Sequence, residues 1–188
     1  RLKNPKAVPV LVDMLGKKGG GHFATNRLMS LGPEASAAIP TLLAAIHTET
    51  KNGTILGSDA AMCLAMIAPE KLFQELDSAD TTTKRNILFG ISVFAAANVF
   101  LSEKKGSISR SMTVGIDSHE GSEAFRKGLV ARIPQLLIET KNSDPKIRRA
   151  AINVLGDLGN HANESVPTLL EALGDADPSV QAAAFSSV

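Results

Sequence analysis

Aromatic residues are scarce in this chain. Its 188 residues include no Trp and no Tyr, so seven Phe supply the whole aromatic content of 4%. Most of these Phe residues lie in apolar runs, where a buried position is expected. Proteins that hold single-stranded nucleic acid stack its bases on aromatic side chains. The composition therefore argues against a base-stacking platform.

An excess of one charge is also missing. The 20 Lys and Arg residues nearly balance the 19 Asp and Glu residues, which leaves a formal net charge of +1. Dedicated nucleic-acid-binding domains normally carry a basic stripe and a high pI. Nucleic acid is therefore not the expected partner, and only a weak, salt-sensitive contact stays open as an alternative. Its candidate residues are Lys17, Lys18, Lys104, Lys105, Arg148 and Arg149.

The chain also has few cysteines and no long apolar run. One cysteine, Cys63, rules out an intramolecular disulfide framework, and its register against Val154, 91 residues later, predicts a core position. The longest apolar run, 87–101, is interrupted by polar residues and is short for a membrane span, so it predicts a buried helix. Asp80 is the predicted N-cap of this helix, and Val93 is expected in its widened apolar stripe. No signal peptide is visible, and a cytoplasmic location is the default. The chain opens and ends within repeat patterns, as a piece of a longer protein would. The lack of a visible signal peptide therefore gives little information on the compartment.

An internal repeat is present. Asp144–Ala151, with the sequence DPKIRRAA, returns 33 residues later as Asp177–Ala184, with the sequence DPSVQAAA. This period is typical of helical repeats. Asp144 suits an N-cap and Pro145 the first helical position. The helix that follows has one apolar stripe and ends at Gly159; the stripe comprises Ile147, Ala150, Ala151, Val154, Leu155 and Leu158.

A second helix is predicted from around Pro167. We call the first helix of such a pair A and the second B. Two short amphipathic helices cannot bury both of their stripes alone, so copies must stack. The B motif, Val or Ile followed by Pro, indeed recurs with its prolines at Pro9, Pro40, Pro134 and Pro167. The Leu–Gly pair that ends helix A at Gly159 also recurs, at Gly32.

These motifs resemble HEAT repeats, particularly the short bacterial type also called phycobilisome-lyase HEAT-like. The resemblance is strong over 1–48 and 133–188 and weaker between them. It implies an all-α, right-handed superhelical solenoid of HEAT-like helical hairpins, with five to six repeats over 1–188 and incomplete terminal ones. Residues 102–121 are rich in Ser and Gly and break the phase, so an insertion loop is expected there.

Catalytic chemistry is not evident. The one enzyme-like cluster is 117–120, and consecutive residues of an extended segment point to opposite faces, so they cannot form a triad. HEAT-like hydroxylases use several His–Glu pairs, whereas His119–Glu120 is the one pair here. The other histidines are far apart in repeat register and predict no metal site. We therefore predict a non-enzyme with no catalytic, metal or cofactor residues.

A binding surface is what the resemblance implies instead. In HEAT solenoids the B helices line the concave side, and the residues one, four and five after each proline are expected to face outward. The partner-binding residues predicted on this basis are Asp13, Thr41, Gln135, Glu139, Thr168 and Glu171. Such a mildly polar face, acidic in places, suits a helix or an extended peptide with basic groups. The sequence thus favours a protein-protein interaction scaffold.

Two further hypotheses stay open. The first is a regulatory or substrate-holding subunit of an enzyme, such as a lyase that attaches tetrapyrroles to antenna proteins. The second concerns the last A helix, whose apolar face has no following repeat to cover it. That face predicts end-to-end self-association.

Overall fold

The computed structural model describes residues 4–15, 17, 20–48, 56–97 and 119–188, and all regular secondary structure within these ranges is helical. The α-helices are α1 (Val8–Leu15), α2 (Gly21–Leu31), α3 (Ile39–Ile46), α4 (Leu56–Ile67), α5 (Pro69–Ser78), α6 (Thr81–Ala97), α7 (His119–Val130), α8 (Ile133–Glu139), α9 (Pro145–Leu158), α10 (Val166–Ala172) and α11 (Pro178–Ser187).

Short 3₁₀ segments precede three of the B helices. Pro5–Ala7, Gly32–Ala38 and Gly159–Ser165 lead directly into α1, α3 and α10. The recurring proline motif had predicted a B helix at each of these places. Each B helix carries a proline near its start, which lacks an N–H, so the preceding turn cannot run through it as a continuous α-helix. The predicted B helices are present, but their first turns differ.

Glycines end two A helices at matching places. Gly32 after α2 and Gly159 after α9 have φ values of 62° and 51°. Glycine adopts this left-handed region without the steric penalty of a Cβ. The repeated Leu–Gly pair therefore marks the same turn in two repeats, and the predicted end of helix A at Gly159 is confirmed.

Aspartates begin three A helices. Asp144 Oδ1 accepts the Lys146 N–H at 2.8 Å, and Asp177 Oδ1 accepts the Ser179 N–H at the same distance. Asp80 Oδ1 likewise accepts the Thr83 N–H at 2.7 Å at the start of α6. These bonds satisfy backbone donors that have no partner inside the helix. The N-caps predicted for α6 and α9 are confirmed.

The helices stack as repeats. The A helices α2, α4, α6, α9 and α11 each pack on the next, and the B helices α1, α3, α8 and α10 each pack on the A helix that follows. The core between them consists mainly of Ala, Leu, Ile and Met. The predicted all-α solenoid of helical hairpins is confirmed.

Arginines and aspartates tie successive A helices together. Arg85 of α6 donates from Nη2 to Asp144 Oδ2 at 2.6 Å, so Asp144 both caps α9 and binds α6. Arg148 of α9 donates from Nη2 to Asp175 Oδ1 at 2.7 Å, and Asp175 lies just before α11. The same oxygen accepts the Asp177 N–H at 2.8 Å. Helices α6 and α9 thus each hold the residues that lead into the next A helix.

The middle of the array departs from the regular pattern. Phe125 of α7 lies 5.6 Å from Phe73 of α5 and 4.9 Å from Phe94 of α6, measured between ring centroids. Val93 of α6 is exposed, although the sequence had placed it in a widened apolar stripe. Helix α7 begins at His119, so the end of the predicted insertion loop is helical, and 102–118 lie outside the described residues.

One described stretch, Gly21–Ile46, is long and apolar enough to cross a membrane by length and composition alone. It comprises α2, a 3₁₀ segment and α3, and the backbone reverses at Gly32. Its apolar residues Leu28, Leu42 and Ile46 are fully buried in the repeat core. The core helices of globular proteins pass the same test, so this stretch is weak evidence for a span.

Candidate binding face

The exposed side of the B helices has a constant register. The residues one and four after each proline are exposed or half-buried in all four helices. We call this surface the B face. It comprises Val10, Asp13, Thr41, Ala44, Gln135, Ile138, Thr168 and Glu171. Among the sequence-predicted residues, Asp13, Thr41 and Glu171 are exposed on this face, and Gln135 and Thr168 are half-buried.

The position five after the proline turns inward instead. Ala45 in α3 and Glu139 in α8 are buried, and Met14 and Ala172 are half-buried. The prediction of Glu139 as a partner-binding residue is therefore wrong. A helix advances 100° per residue, so the fifth position lies more than a quarter turn beyond the fourth, toward the core.

Glu139 has a structural role. Its side chain is 6% exposed, and its Oε1 accepts a hydrogen bond from Lys84 Nζ of α6 at 2.7 Å. Its Oε2 accepts from Asn142 Nδ2 at 2.7 Å. Both carboxylate oxygens are thus occupied within the chain, as a buried charge requires. The pair joins α8 to α6 and leaves nothing of Glu139 for a partner.

Side-chain pairs connect α5 and three of the B helices with one another. His47 after α3 lies with Nε2 3.5 Å from Glu75 Oε2 of α5. Arg132, just before α8, donates from Nη2 to Asp77 Oδ2 of α5 at 2.8 Å. Lys141 after α8 forms an ion pair with Glu171 of α10. These pairs link α3 to α5, α5 to α8, and α8 to α10.

The character of the B face differs from the expected one. Asp13 is ion-paired with Lys17, and Glu171 with Lys141, so two acidic groups are already neutralised. Apolar side chains stand out instead, since Val10 is 62% exposed and Ile138 71% exposed. The spacing from each proline correctly predicted that both side chains face outward. The sequence-based description of the face as mildly polar and acidic nevertheless underestimated its apolar character, because Asp13 and Glu171 were counted as unpaired charges.

Two of the six basic residues considered for nucleic-acid contact are paired with carboxylates of this chain. Arg148 binds Asp175 through two nitrogens, and this hydrogen bonding raises the pKa of Arg148 further above its ordinary value. Lys17 is paired with Asp13. Arg149 is half-buried. Lys18, Lys104 and Lys105 lie outside the described residues.

The only cysteine is unsuited to nucleophilic chemistry. Cys63 is fully buried in α4, and its Sγ donates a weak hydrogen bond to the Thr25 carbonyl at 3.8 Å. Burial, together with the nearby Asp59 carboxylate, raises the pKa of the Cys63 thiol. A reactive thiol needs an electropositive, accessible setting that favours thiolate. The expected core position of Cys63 is confirmed.

The other titratable residues that the structure describes do not assemble into a metal site. His22 Nδ1 lies 4.0 Å from Asp59 Oδ1, and burial raises the pKa of Asp59. Within the described parts of the chain, no group of three His, Cys, Asp or Glu residues could hold a metal ion. In the 117–120 cluster, 117 and 118 lie outside those parts, and only the helical backbone is described at 119 and 120.

Comparisons with known proteins identify the repeat type. Residues 133–188 match the family model described as HEAT repeats. The fold is similar to that in the structure of the complex of CpcE and CpcF of phycocyanin lyase from Nostoc sp. PCC7120. That match has a TM-score of 0.57 and 22% identity, and it covers 98% of this chain and 99% of that one.

A second structural match is more distant. It is a designed armadillo repeat protein in complex with a (KR)4 peptide, with a TM-score of 0.31 and 13% identity over 96% of this chain and 97% of that one. Its shape differs too much to inform the function. No curated protein sequence matches the chain.

Proposed function

We propose that this chain, whose residues 133–188 match HEAT repeats, is a scaffold that binds a protein partner through the B face. The observation that carries the proposal is the common register of exposed or half-buried positions on four B helices, two of which, α8 and α10, are joined by the Lys141–Glu171 ion pair. Helical solenoids use such extended, repeated surfaces for binding. The described residues offer no better assembled site.

The partner should be a helix or an extended peptide with apolar anchors. Val10 and Ile138 are isolated, exposed apolar side chains near opposite ends of the face. Burying them contributes about 25 cal/mol for each Å² of apolar surface removed from water. The ion pairs Asp13–Lys17 and Glu171–Lys141 are both exposed. A basic group of the partner could therefore take the place of Lys17 or Lys141 beside the carboxylate, and the displaced lysine would remain in solvent. No unpaired charge would then be buried.

Affinity capture from a lysate of the source organism tests the proposal. The bait is compared with a variant that carries Val10→Lys, Gln135→Lys and Ile138→Lys. We expect a protein that the native chain retains and the variant loses, and mass spectrometry identifies it. All three changes are at exposed or half-buried sites, so circular dichroism should show an unchanged helix content.

A matched control carries three lysines away from the B face, at Phe23, Ala96 and Ala182, which are also exposed. This control should retain the partner. Equal retention by both variants would place the binding site elsewhere, and loss by both would indicate a general effect of added charge. Either result would contradict binding through the B face.

A second candidate function rests on the similarity in fold to the lyase complex, which extends over nearly the whole of both chains. In this function the chain is a lyase-related subunit that holds a tetrapyrrole or its acceptor protein. Mixing the protein with a bilin or haem and recording the absorbance spectrum tests it. A red shift with saturable binding would support it, and an unchanged spectrum would count against pigment binding by this chain alone.

A further inference from the structure

Ion pairs connect helices of different repeats, and most of them use arginine or lysine. The charge of these cations does not change between about pH 5 and pH 8. Within the described residues, the pairs that connect α2 and α3 with the following helices are different, because both use histidine. The arginine and lysine pairs are Arg132–Asp77, Arg85–Asp144, Lys141–Glu171 and Arg148–Asp175.

The two histidine pairs lie at the same repeat boundary. His22 at the start of α2 has its Nδ1 4.0 Å from Asp59 Oδ1 of α4. His47 at the end of α3 has its Nε2 3.5 Å from Glu75 Oε2 of α5. We call this boundary, between α2–α3 and α4–α5, the histidine joint. Histidine is the side chain whose ordinary change of charge falls between about pH 5 and pH 8.

Hydrogen bonds fix the position of the proton on a neutral His47. The N–H and the hydroxyl of Thr83 both donate to the Asp80 carboxylate at the start of α6, and both bonds lower the pKa of Asp80. The Thr83 oxygen therefore accepts a hydrogen bond from His47 Nδ1, which is 3.0 Å away. A neutral imidazole has one ring proton, so Nε2 then presents a lone pair to the Glu75 carboxylate. A protonated His47 instead donates to Glu75 from Nε2.

Other titratable groups near the histidine joint are engaged or neutral. Lys84 of α6 binds Glu139, and Arg27 of α2 lies over the ring of Phe23. Burial raises the pKa of the Cys63 thiol in α4, so this group stays uncharged. The charged groups that the structure places against the two histidines are thus carboxylates, with which each histidine forms an ion pair when it is protonated.

We propose that the histidine joint responds to pH and opens less readily when both histidines are protonated than when both are neutral. The stabilisation from the two pairs is then present below about pH 6 and is lost as the pH rises toward 8. Two hydrogen bonds from Asn86 Nδ2, to the Ile46 and Thr48 carbonyl oxygens, remain in both states, so the joint loosens without separating. The curvature of a solenoid follows from the rotation between repeats, so a change at one joint reorients α1–α3 against the other helices.

Amide hydrogen exchange of the full chain at about pH 5.5 and about pH 8, corrected for intrinsic exchange rates, tests the proposal. The native chain is compared with a double variant that carries His22→Gln and His47→Gln. At the lower pH, the amides of α2 and α3 should be roughly threefold more protected in the native chain, because two partly exposed pairs are present. At the higher pH, the two proteins should be equally protected.

A second double variant carries His22→Lys and His47→Lys, which keep a positive charge at both pH values. Its α2 and α3 should be more protected than those of the Gln variant by the same factor at both values. The matched control is His161→Gln, because His161 lies beside Arg126 and not beside a carboxylate. This control should show the same protection as the native chain.

Three results would overturn the proposal. A ratio of native to Gln-variant protection that is equal at both pH values would show that the histidines act only through packing. A Lys variant that is no more protected than the Gln variant would show that charge at these positions does not hold the joint. A His161→Gln chain that loses as much protection at the lower pH as the Gln variant would show that the effect is not specific to the joint.

Discussion

The last complete repeat, 145–172, and the middle of the array, 69–139, are held together in different ways. In the last repeat, small residues such as Ala150, Ala151 and Ala184 let the A helices pack closely, and aspartate caps fix where they begin. The middle instead depends on a cluster of three phenylalanines and on a buried ion pair between Lys84 and Glu139. Regular repeats distribute their stability among many small contacts, whereas the middle concentrates it in a few large ones.

The difference predicts where the array is sensitive to substitution. A side chain that makes many contacts across three helices leaves a large cavity when it is truncated. An ion pair or a surface group in the regular repeat should matter less. The following substitutions test this contrast from the largest expected effect to the smallest.

Phe125→Ala should destabilise the protein most. Phe125 is 1% exposed and contacts the rings of Phe73 and Phe94. Removing it should lower the free energy of unfolding by about 3–5 kcal/mol. Urea denaturation followed by circular dichroism measures this change. Phe185→Ala removes an equally large but exposed ring and should change the monomer's stability little; equal losses would contradict a central aromatic core.

Glu139→Ala should cost about 2 kcal/mol, because it leaves the mostly buried ammonium of Lys84 without its partner. Replacing both members, as Lys84→Met with Glu139→Leu, should recover most of the loss, since no buried charge remains. Thermal unfolding of the single and double variants measures both effects. A double variant as unstable as Glu139→Ala would show that shape, and not the charge pair, dominates at this site.

Asp157→Asn, in the regular repeat, should stabilise the protein at neutral pH. Burial raises the pKa of Asp157 to about 6, well above its usual range. The folded state therefore binds a proton that the unfolded state has lost, and stability from this group falls as the pH rises from about 4 to 6. The substitution removes this penalty, on the order of 1–2 kcal/mol at pH 7.

The pH profile of unfolding provides the check on Asp157. The native and Asp157→Asn proteins should be equally stable near pH 4 and should diverge toward pH 7. Both should lose stability at still lower pH, where Asp144 and Asp175 become protonated. Hydrogen bonds from Arg148 lower the pKa of Asp175, and bonds from Lys146 N and Arg85 lower that of Asp144 although burial opposes them. Parallel profiles from pH 4 to 7 would contradict the assignment.

Lys141→Ala should have the smallest effect. It breaks an ion pair of the same chemistry as Lys84–Glu139, but both Lys141 and Glu171 are largely exposed. Exposed pairs contribute less than about 0.5 kcal/mol, and salt screens them. Thermal unfolding should therefore give nearly the same midpoint as the native chain. A loss as large as that of Glu139→Ala would show that burial does not set the difference between the two pairs.

The regular repeats could be predicted from the sequence because their signals are local. The Asp–Pro start of α9 and the glycine at its end each act on the backbone within one or two turns, and their recurrence fixed the repeat period. The same locality explains why Cys63 could be placed in the core by superposing its neighbours on α9.

The middle of the array and part of the binding face depend on contacts that are distant in sequence. Spacing predicted that Glu139 faces outward, but it is buried and pairs with Lys84, 55 residues earlier. Nothing local to Phe73 predicts that Phe125 stacks on it. Likewise, the pairing of Glu171 with Lys141 hides a charge that the sequence counted as free. Tertiary pairing of this kind leaves no periodic signal.

The double role of Asp144 makes neighbouring repeats thermodynamically coupled. One oxygen of its carboxylate caps α9 and the other binds Arg85 of α6, so the start of α9 is further stabilised while the preceding A helix is in place. In a one-dimensional array, such nearest-neighbour coupling raises the cost of opening a repeat in the interior relative to fraying at an end. The array should therefore unfold from its ends inward, as a zipper does.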